Sequence, residues 1–233
     1  MFIRTKSQHY QLISTQFIME TNNKSNHQVR VSGEKSVNFD FDILNINNPL
    51  QVCQKYRNEL QIPLRSIVLI NLAEMNSNNN QHMLIQAVKD LRDRNMDIYL
   101  LLVGKDCLNG ECQEEASKLQ IQQFVRFLGM RNDTGELLAS SNIYVASSKT
   151  EKCPLGIIQA QYAHLPVIAT ANKGHKAVIK DGLNGFLVPA DDAKTMADRI
   201  LLLLEKPTTY KGMSQVDVST YISKGVPVID DDF

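Results

Sequence analysis

The sequence predicts an α/β protein built on a doubly wound parallel sheet. Short apolar runs alternate repeatedly with segments in which apolar residues recur at helical spacing, and this alternation is typical of such sheets. The clearest unit is a strand over residues 143–146, a helix over 154–163 and a second strand over 167–169. Because a βαβ crossover joins parallel strands, we expect helices on both faces of the sheet. Ligands of such sheets bind beyond the carboxyl ends of the strands, which places a candidate site at residues 147–154 and 170–175.

The other predicted strands are continuous apolar runs. Residues 67–72 and 98–103 are almost entirely apolar, as expected of strands that are buried on both faces of a sheet. Residues 124–128 are the third predicted strand, in which Arg126 interrupts the apolar residues. Two polar connections complete this part of the pattern, an Asn-rich turn over residues 76–80 and a Gly-containing loop over residues 170–175.

The predicted helices carry apolar residues on one face. In residues 81–94, apolar side chains such as Leu84, Val88 and Leu91 recur at helical spacing and leave the charged side to water. A proline at an early position favours a helix over residues 49–60. Similar patterns predict helices over residues 111–119, 134–139 and 192–204.

The domain boundaries follow from changes in composition. Residues 49–206 hold the alternating pattern and predict one α/β domain. Residues 1–48 are polar and rich in Asn, Ser and Gln, so we interpret them as an arm or a linker remnant, in which residues 10–19 fit a helix or a strand. From residue 207 the sequence is polar and interrupted by Gly and Pro, which indicates a polar tail.

Composition excludes several classes of protein. The 233 residues include 25 Lys and Arg against 25 Asp and Glu, which argues against nucleic acid or an anionic membrane as the main partner. No apolar run is long enough to span a bilayer and the N-terminus lacks a signal-peptide core, so we expect a cytoplasmic protein. The four cysteines contain no CxxC pair. We interpret them as reduced thiols, with half a metal site at Cys107 and Cys112 as the alternative.

Several separated motifs between residues 143 and 188 keep a fixed spacing. Ser148 and Glu151 follow the first strand, Ala160 lies on the next helix, and a Leu-Pro-Val-Ile-Ala run and an Asp-Gly-x-Asn-Gly run come after it. In this spacing residues 38–205 resemble the C-terminal, nucleotide-sugar-binding half of family 4 retaining glycosyltransferases. The resemblance implies a single Rossmann-like donor domain, while the second domain of the relatives, which binds the acceptor, is expected to lie outside this chain.

The resemblance also implies which residues contact the donor. Glu151 is the candidate catalytic residue facing the donor sugar, with capping of a helix N-terminus as the alternative. Gln159 stands where relatives use a Glu to accept hydrogen bonds from the ribose hydroxyls, and an amide accepts them more weakly than a carboxylate. A buried structural Gln is the alternative there. The backbone N–H groups of Leu155 and Gly156, at the start of a helix, are expected to face phosphate.

The neighbouring loops complete the implied site. Gly174 belongs to a loop near the diphosphate, and Arg131 lies where relatives contact the base, with a surface charge as the alternative. Glu74 and Asn79 occupy positions at which relatives use Arg and Lys to neutralise the departing diphosphate. His175 is expected to take no part. Lysines of adjacent loops are candidate replacements for the missing charge, with solvated loop residues as the alternative: Lys149, Lys152, Lys173 and Lys176.

Two possible functions follow from the positions at which this sequence matches the family pattern and from those at which it differs from it. The first is an enzyme component that transfers a sugar from a nucleotide diphosphate sugar, together with an acceptor domain from elsewhere. The second, motivated by Glu74, Asn79 and Gln159, is a non-catalytic relative that binds an acceptor-domain or full-length glycosyltransferase. The nucleotide sugar is a substrate, so no cofactor and no metal are expected.

Overall fold

The computed structural model describes residues 44–218 and the backbone of residues 28–29 and 39–40. The latter are two short antiparallel strands, β1 (Gln28–Val29) and β2 (Phe39–Asp40). The element expected over residues 10–19 lies outside the described residues. Within the described part of the chain, no helix combines the length and the apolar composition needed to cross a membrane.

A parallel six-stranded sheet forms the centre of the protein, as predicted. Its strands lie in the order β5-β4-β3-β6-β7-β8, so the chain winds outward from β3 in one direction and then from β6 in the other. The switch point between these two halves is where open α/β sheets bind their ligands. The strands are β3 (Ile67–Leu72), β4 (Ile98–Val103), β5 (Val125–Gly129), β6 (Ile143–Ala146), β7 (Val167–Thr170) and β8 (Phe186–Val188).

Eight helices within residues 44–218 cover the two faces of the sheet. Successive side chains of β3 point to opposite faces, so that Ile67 and Leu69 join one apolar cluster while Val68 and Ile70 join the other. Each face is thereby buried against helices, which explains the continuous apolar runs in the sequence. The helices are α1 (Pro49–Glu59), α2 (Gln81–Asp93), α3 (Glu111–Lys118), α4 (Thr134–Ala139), α5 (Leu155–Tyr162), α6 (Lys173–Val178), α7 (Ala193–Glu205) and α8 (Pro207–Ser214).

Four segments differ from the sequence-based expectation. Residues 170–175 are not a continuous loop, because Asn172 accepts a hydrogen bond from the N–H of His175 and caps the short helix α6. The polar stretch from residue 207 begins with helix α8, whose Tyr210 and Met213 are buried. The expected strand over residues 124–128 begins one residue later, since Phe124 ends a short 3-10 turn. Strand β8 was not predicted.

Candidate functional site

A cavity of about 280 Å³ opens at the carboxyl edge of the sheet. It lies at the switch point, because its walls come from the ends of β3 and β6, the start of α5 and one residue of α6. This is the position expected for a ligand site in a doubly wound sheet. The lining residues are Asn71, Leu72, Ala73, Asn79, Tyr144, Ala146, Ser147, Ser148, Glu151, Cys153, Pro154, Leu155, Gly156, Ile157, Gln159 and His175.

The loops after β3 and β6 are joined by hydrogen bonds. Asn78 Oδ1 accepts from the Thr150 hydroxyl at 2.7 Å, and the Ser147 hydroxyl donates to Asn79 O at 2.6 Å. Within the first loop, Asn79 Nδ2 donates to the backbone oxygen of Glu74 at 2.7 Å. The Asn-rich turn therefore fixes one wall of the cavity, and the amide of Asn79 is held by its own loop.

Glu151 lines the cavity and stabilises its own turn. Its Oε1 accepts a hydrogen bond from the N–H of Cys153 at 3.0 Å, while burial raises the pKa of the carboxyl group. Helix α6 packs directly against this turn, since a Cβ atom built on Gly174 would lie 2.1 Å from Glu151 O. This geometry agrees with both interpretations of Glu151, as a residue that faces a donor sugar and as a residue that caps a helix N-terminus. Gly174 does not line the cavity but sets the distance between α6 and the Glu151 turn.

The start of α5 offers fewer unpaired backbone N–H groups than the sequence indicates. Pro154 precedes the helix with φ −75° and ψ 55°, and the N–H of Leu155 donates across it to Cys153 O at 2.7 Å. These values are typical of an inverse γ-turn. The N–H of Leu155 is therefore hydrogen-bonded within its own turn, and its orientation towards phosphate stays a prediction. Pro154 precedes the helix rather than beginning it. Gly156 allows close packing, because a Cβ there would meet Tyr144 Oη at 2.2 Å.

Uncharged polar groups line part of the cavity. Gln159 is 8% exposed, and its side-chain amide makes no hydrogen bond to the described part of the chain. Tyr144 Oη reaches Leu72 O only at 3.5 Å, and Asn71 Nδ2 donates to Val145 O at 2.8 Å. Gln159 is thus free to accept from and donate to ligand hydroxyl groups.

His175 forms part of the cavity wall, although it is not among the site residues expected from the sequence. Its Nδ1 lies 2.7 Å from Thr170 O, which assigns the proton to this nitrogen, so Nε2 accepts from the Ser148 hydroxyl at 3.1 Å. Burial lowers the pKa of His175 to about 4. The imidazole is therefore neutral at pH 7, which makes it a hydrogen-bond acceptor that orients Ser148.

Besides Gly174, two predicted site residues lie outside the cavity walls. Arg131 pairs with Asp133, with 2.7 Å between Arg131 Nε and Asp133 Oδ1, and Tyr56 donates to the same carboxylate. The bonds from Arg131 hold the pKa of Asp133 well below its usual range. Glu74 is exposed and contributes its backbone oxygen to the Asn-rich turn. Arg131 is thus paired with Asp133 and does not line the cavity.

The structure brings together most of the predicted site and adds residues to it. Asn71 could have been found, because it is a polar residue inside an apolar strand, whereas nothing in the sequence marks Tyr144 or His175. The cysteines Cys53, Cys107, Cys112 and Cys153 are free thiols. Among the residues that the structure describes, no group of three or more His, Cys, Asp and Glu side chains is arranged to hold a metal ion. The predicted residues that line the cavity are Asn79, Glu151, Leu155, Gly156 and Gln159.

An open doubly wound sheet with a polar cavity at its switch point defines a Rossmann-like ligand-binding domain. The chain belongs to the family of glycosyl transferases group 1, whose profile matches residues 53–216. This confirms the resemblance on which the sequence-based assignment rests.

Curated relatives and solved structures are similar to this chain over part of their length. The putative glycosyltransferase EpsD of Bacillus subtilis is 34% identical over 148 residues, which cover 64% of this chain and 39% of EpsD. The lipopolysaccharide core biosynthesis glycosyltransferase LpsE of Rhizobium meliloti is 31% identical over 146 residues, which cover 62% of this chain and 41% of LpsE. The chain thus spans less than half the length of these two relatives.

Solved structures show the same fold. HepE of Anabaena, in complex with UDP and glucose, superposes with a TM-score of 0.71 at 21% identity, over 79% of this chain and 50% of HepE. The C-terminal domain of the group 1 glycosyl transferase LpcC from Francisella tularensis superposes with a TM-score of 0.66 at 17% identity, over 80% of this chain and 97% of that domain. The chain therefore has the fold of the C-terminal half of such enzymes.

Proposed function

We propose that this chain binds a nucleotide diphosphate sugar as the donor domain of a retaining glycosyltransferase and works with an acceptor domain from outside this sequence. The observation that carries the proposal is the cavity at the switch point, bounded by the Glu151 turn, the start of α5 and His175 of α6. In this proposal Glu151 faces the donor sugar and Gln159 binds the ribose hydroxyls. The presence of UDP and glucose in HepE, which shares the fold, supports this class of ligand.

A thermal-shift panel of UDP, GDP and ADP sugars tests donor binding. A ligand that binds only the native state stabilises it by about 2.7 kcal/mol when present at about a hundredfold its Kd. We expect at least one sugar nucleotide to raise the Tm and Glu151→Ala to abolish the rise. Glu114→Ala is the matched control, because Glu114 lies on the exposed side of α3. No response to any sugar nucleotide would contradict donor binding.

A non-catalytic accessory role is the second candidate function. It is favoured by the amide of Asn79, which is bound to Glu74 O, and by the amide Gln159 in the cavity wall. This role predicts no thermal response to sugar nucleotides and a stable complex with a glycosyltransferase that has an acceptor domain. Size-exclusion chromatography of mixtures checks it, and monomeric elution with every candidate partner would rule it out.

A further inference from the structure

The cavity walls carry no positive charge at neutral pH. Among the described residues that line the cavity, none is Lys or Arg. Burial lowers the pKa of His175 to about 4 and raises the pKa of both Cys153 and Tyr144, so these three groups are uncharged at pH 7. The lining side chain that can carry charge is therefore Glu151, and its charge is negative.

The cations that flank the cavity in sequence do not reach its walls. Lys149 Nζ lies 3.8 Å from Asp191 Oδ1, and Arg131 is paired with Asp133. Lys152 and Lys173 have contacts of their own, and neither of them lines the cavity. Lys176 does not line the cavity either, so the described residues place no cation in its walls.

The backbone donors at the start of α5 are also largely occupied. The N–H of Cys153 donates to the Glu151 carboxylate and that of Leu155 to Cys153 O, while Pro154 has no N–H. Leu155 is the first residue of α5, and Gly156 is the second. The Glu151 carboxylate therefore takes up a donor that a bound anion would otherwise use.

The remaining lining groups suit a neutral ligand with hydroxyl groups. Gln159 is nine-tenths buried with an amide that has no partner within the described residues, and Tyr144 Oη makes only a 3.5 Å contact. The hydroxyl groups of Ser147 and Ser148 also lie in the wall, but they already donate to Asn79 O and His175 Nε2, so towards a ligand their oxygens can only accept. Amides and hydroxyls both donate and accept, which matches ribose or hexose hydroxyls and gives little compensation to a phosphate charge.

We infer that the cavity recognises the uncharged, hydroxyl-bearing part of its ligand, a nucleoside or a sugar, and that the residues described in the structure give a diphosphate no counter-charge. The inference rests on the proposed function and narrows it, because the positive charge for a diphosphate must then come from a free cation or from another protein surface.

Binding of uridine and UDP to the full chain tests the inference directly. The two ligands differ by the diphosphate, so their Kd values, measured by NMR titration in EDTA, isolate its contribution. We expect UDP to bind no more tightly than uridine. A second titration with Mg²⁺ distinguishes the sources of counter-charge, since UDP binding strengthens if a free cation supplies it and stays unchanged if a protein must.

Adding a cation to the cavity wall provides the second arm of the test. Asn79→Lys is expected to strengthen UDP binding relative to uridine binding about tenfold, as one charge-assisted hydrogen bond would. Asn79→Gln is the neutral control, and its ratio of the two Kd values should equal that of the unaltered protein. Circular dichroism checks that each variant is folded.

The outcomes separate the inference from the proposed function. UDP binding more than about tenfold tighter than uridine in EDTA, a difference of about 1.4 kcal/mol, overturns the inference and leaves donor binding intact. Failure of uridine, UDP and UDP-glucose alike to bind overturns both. Equal binding of uridine and UDP with a selective gain in Asn79→Lys supports both.

Discussion

Two glycines set the distances between the cavity walls. A Cβ on Gly174 would lie 2.1 Å from Glu151 O, and a Cβ on Gly156 would lie 2.2 Å from Tyr144 Oη. Neither position has room for a methyl group unless its neighbour moves. The Glu151 neighbour is backbone, so the turn that carries the carboxylate would have to shift, whereas the tyrosine hydroxyl is the end of a side chain. Gly174 is accordingly the less tolerant position.

Gly174→Ala is expected to displace Glu151, which lines the cavity, although Gly174 itself does not line it. Overpacking of this kind costs about 1–3 kcal/mol of unfolding free energy, and the sugar-nucleotide response of the Tm should be lost. Denaturant titration and thermal shift measure the two effects. Gly212→Ala on α8 is the matched control, because a Cβ there meets open space, and it should be neutral or stabilising by up to about 1 kcal/mol. Equal behaviour of the two variants would contradict the role of Gly174.

His175 is expected to make stability depend on pH. Its native pKa of about 4 lies below the ordinary value of 6.5, so the unfolded chain binds the proton more readily between these values. Stability from this group is therefore complete above pH 6.5 and falls as the pH drops towards 4, by about 2 kcal/mol between pH 7 and pH 5. Glu151, with its raised pKa, acts in the opposite sense.

The comparison with His175→Gln isolates this contribution. The variant cannot titrate at this position, so its loss of unfolding free energy between pH 7 and pH 5 should be smaller by about 2 kcal/mol. Denaturant titrations at both pH values give the difference. An identical pH dependence in the two proteins would show that His175 is not buried in its neutral form.

At the scale of elements, buried polar groups hold α1 to the amino edge of the sheet. Arg57 is 4% exposed and donates through Nη2 to Asn142 Oδ1 at 2.9 Å and through Nε to Ser140 O at 3.2 Å. The same Asn142 oxygen accepts from the N–H of Val68 on β3 at 2.8 Å. Burial lowers the pKa of Arg57, although the guanidinium keeps its charge. One side chain thus connects a helix and the loop before β6.

Arg57→Lys is expected to lower the unfolding free energy by about 2–3 kcal/mol. The planar guanidinium reaches several acceptors at once, whereas an ammonium group leaves some of them unsatisfied in a buried site. Denaturant titration measures the change, and Gln54→Ala on the exposed side of α1 serves as control, with an expected effect within about 0.5 kcal/mol. A loss as small as that of the control would mean that the network is not important for stability.

For the whole molecule, the sequence predicts the central elements and misses the peripheral ones. Strands β3, β4 and β6 are recognisable because burial on both faces requires continuous apolar residues. Helix α8 contains only two buried apolar side chains, Tyr210 and Met213, so its pattern resembles a polar tail. In the site, Glu151 and Gln159 can be predicted because they keep the spacing of the family motif. Tyr144 and His175 line the cavity because separate elements pack together, and motif spacing does not reveal such packing.

The closing helix α8 belongs to the folded domain, and Tyr210 is where this can be tested. Its hydroxyl donates to Asn142 O at 2.7 Å, so α8 is bound to the same residue that connects α1 and β3. Tyr210→Phe keeps the ring and removes the donor, which should cost about 1–2 kcal/mol by denaturant titration. Thr208→Ala, on the exposed side of α8, should change stability by less than about 0.5 kcal/mol. If Tyr210→Phe is as neutral as Thr208→Ala, the hydrogen bond from Tyr210 to Asn142 O adds little to the stability of the domain.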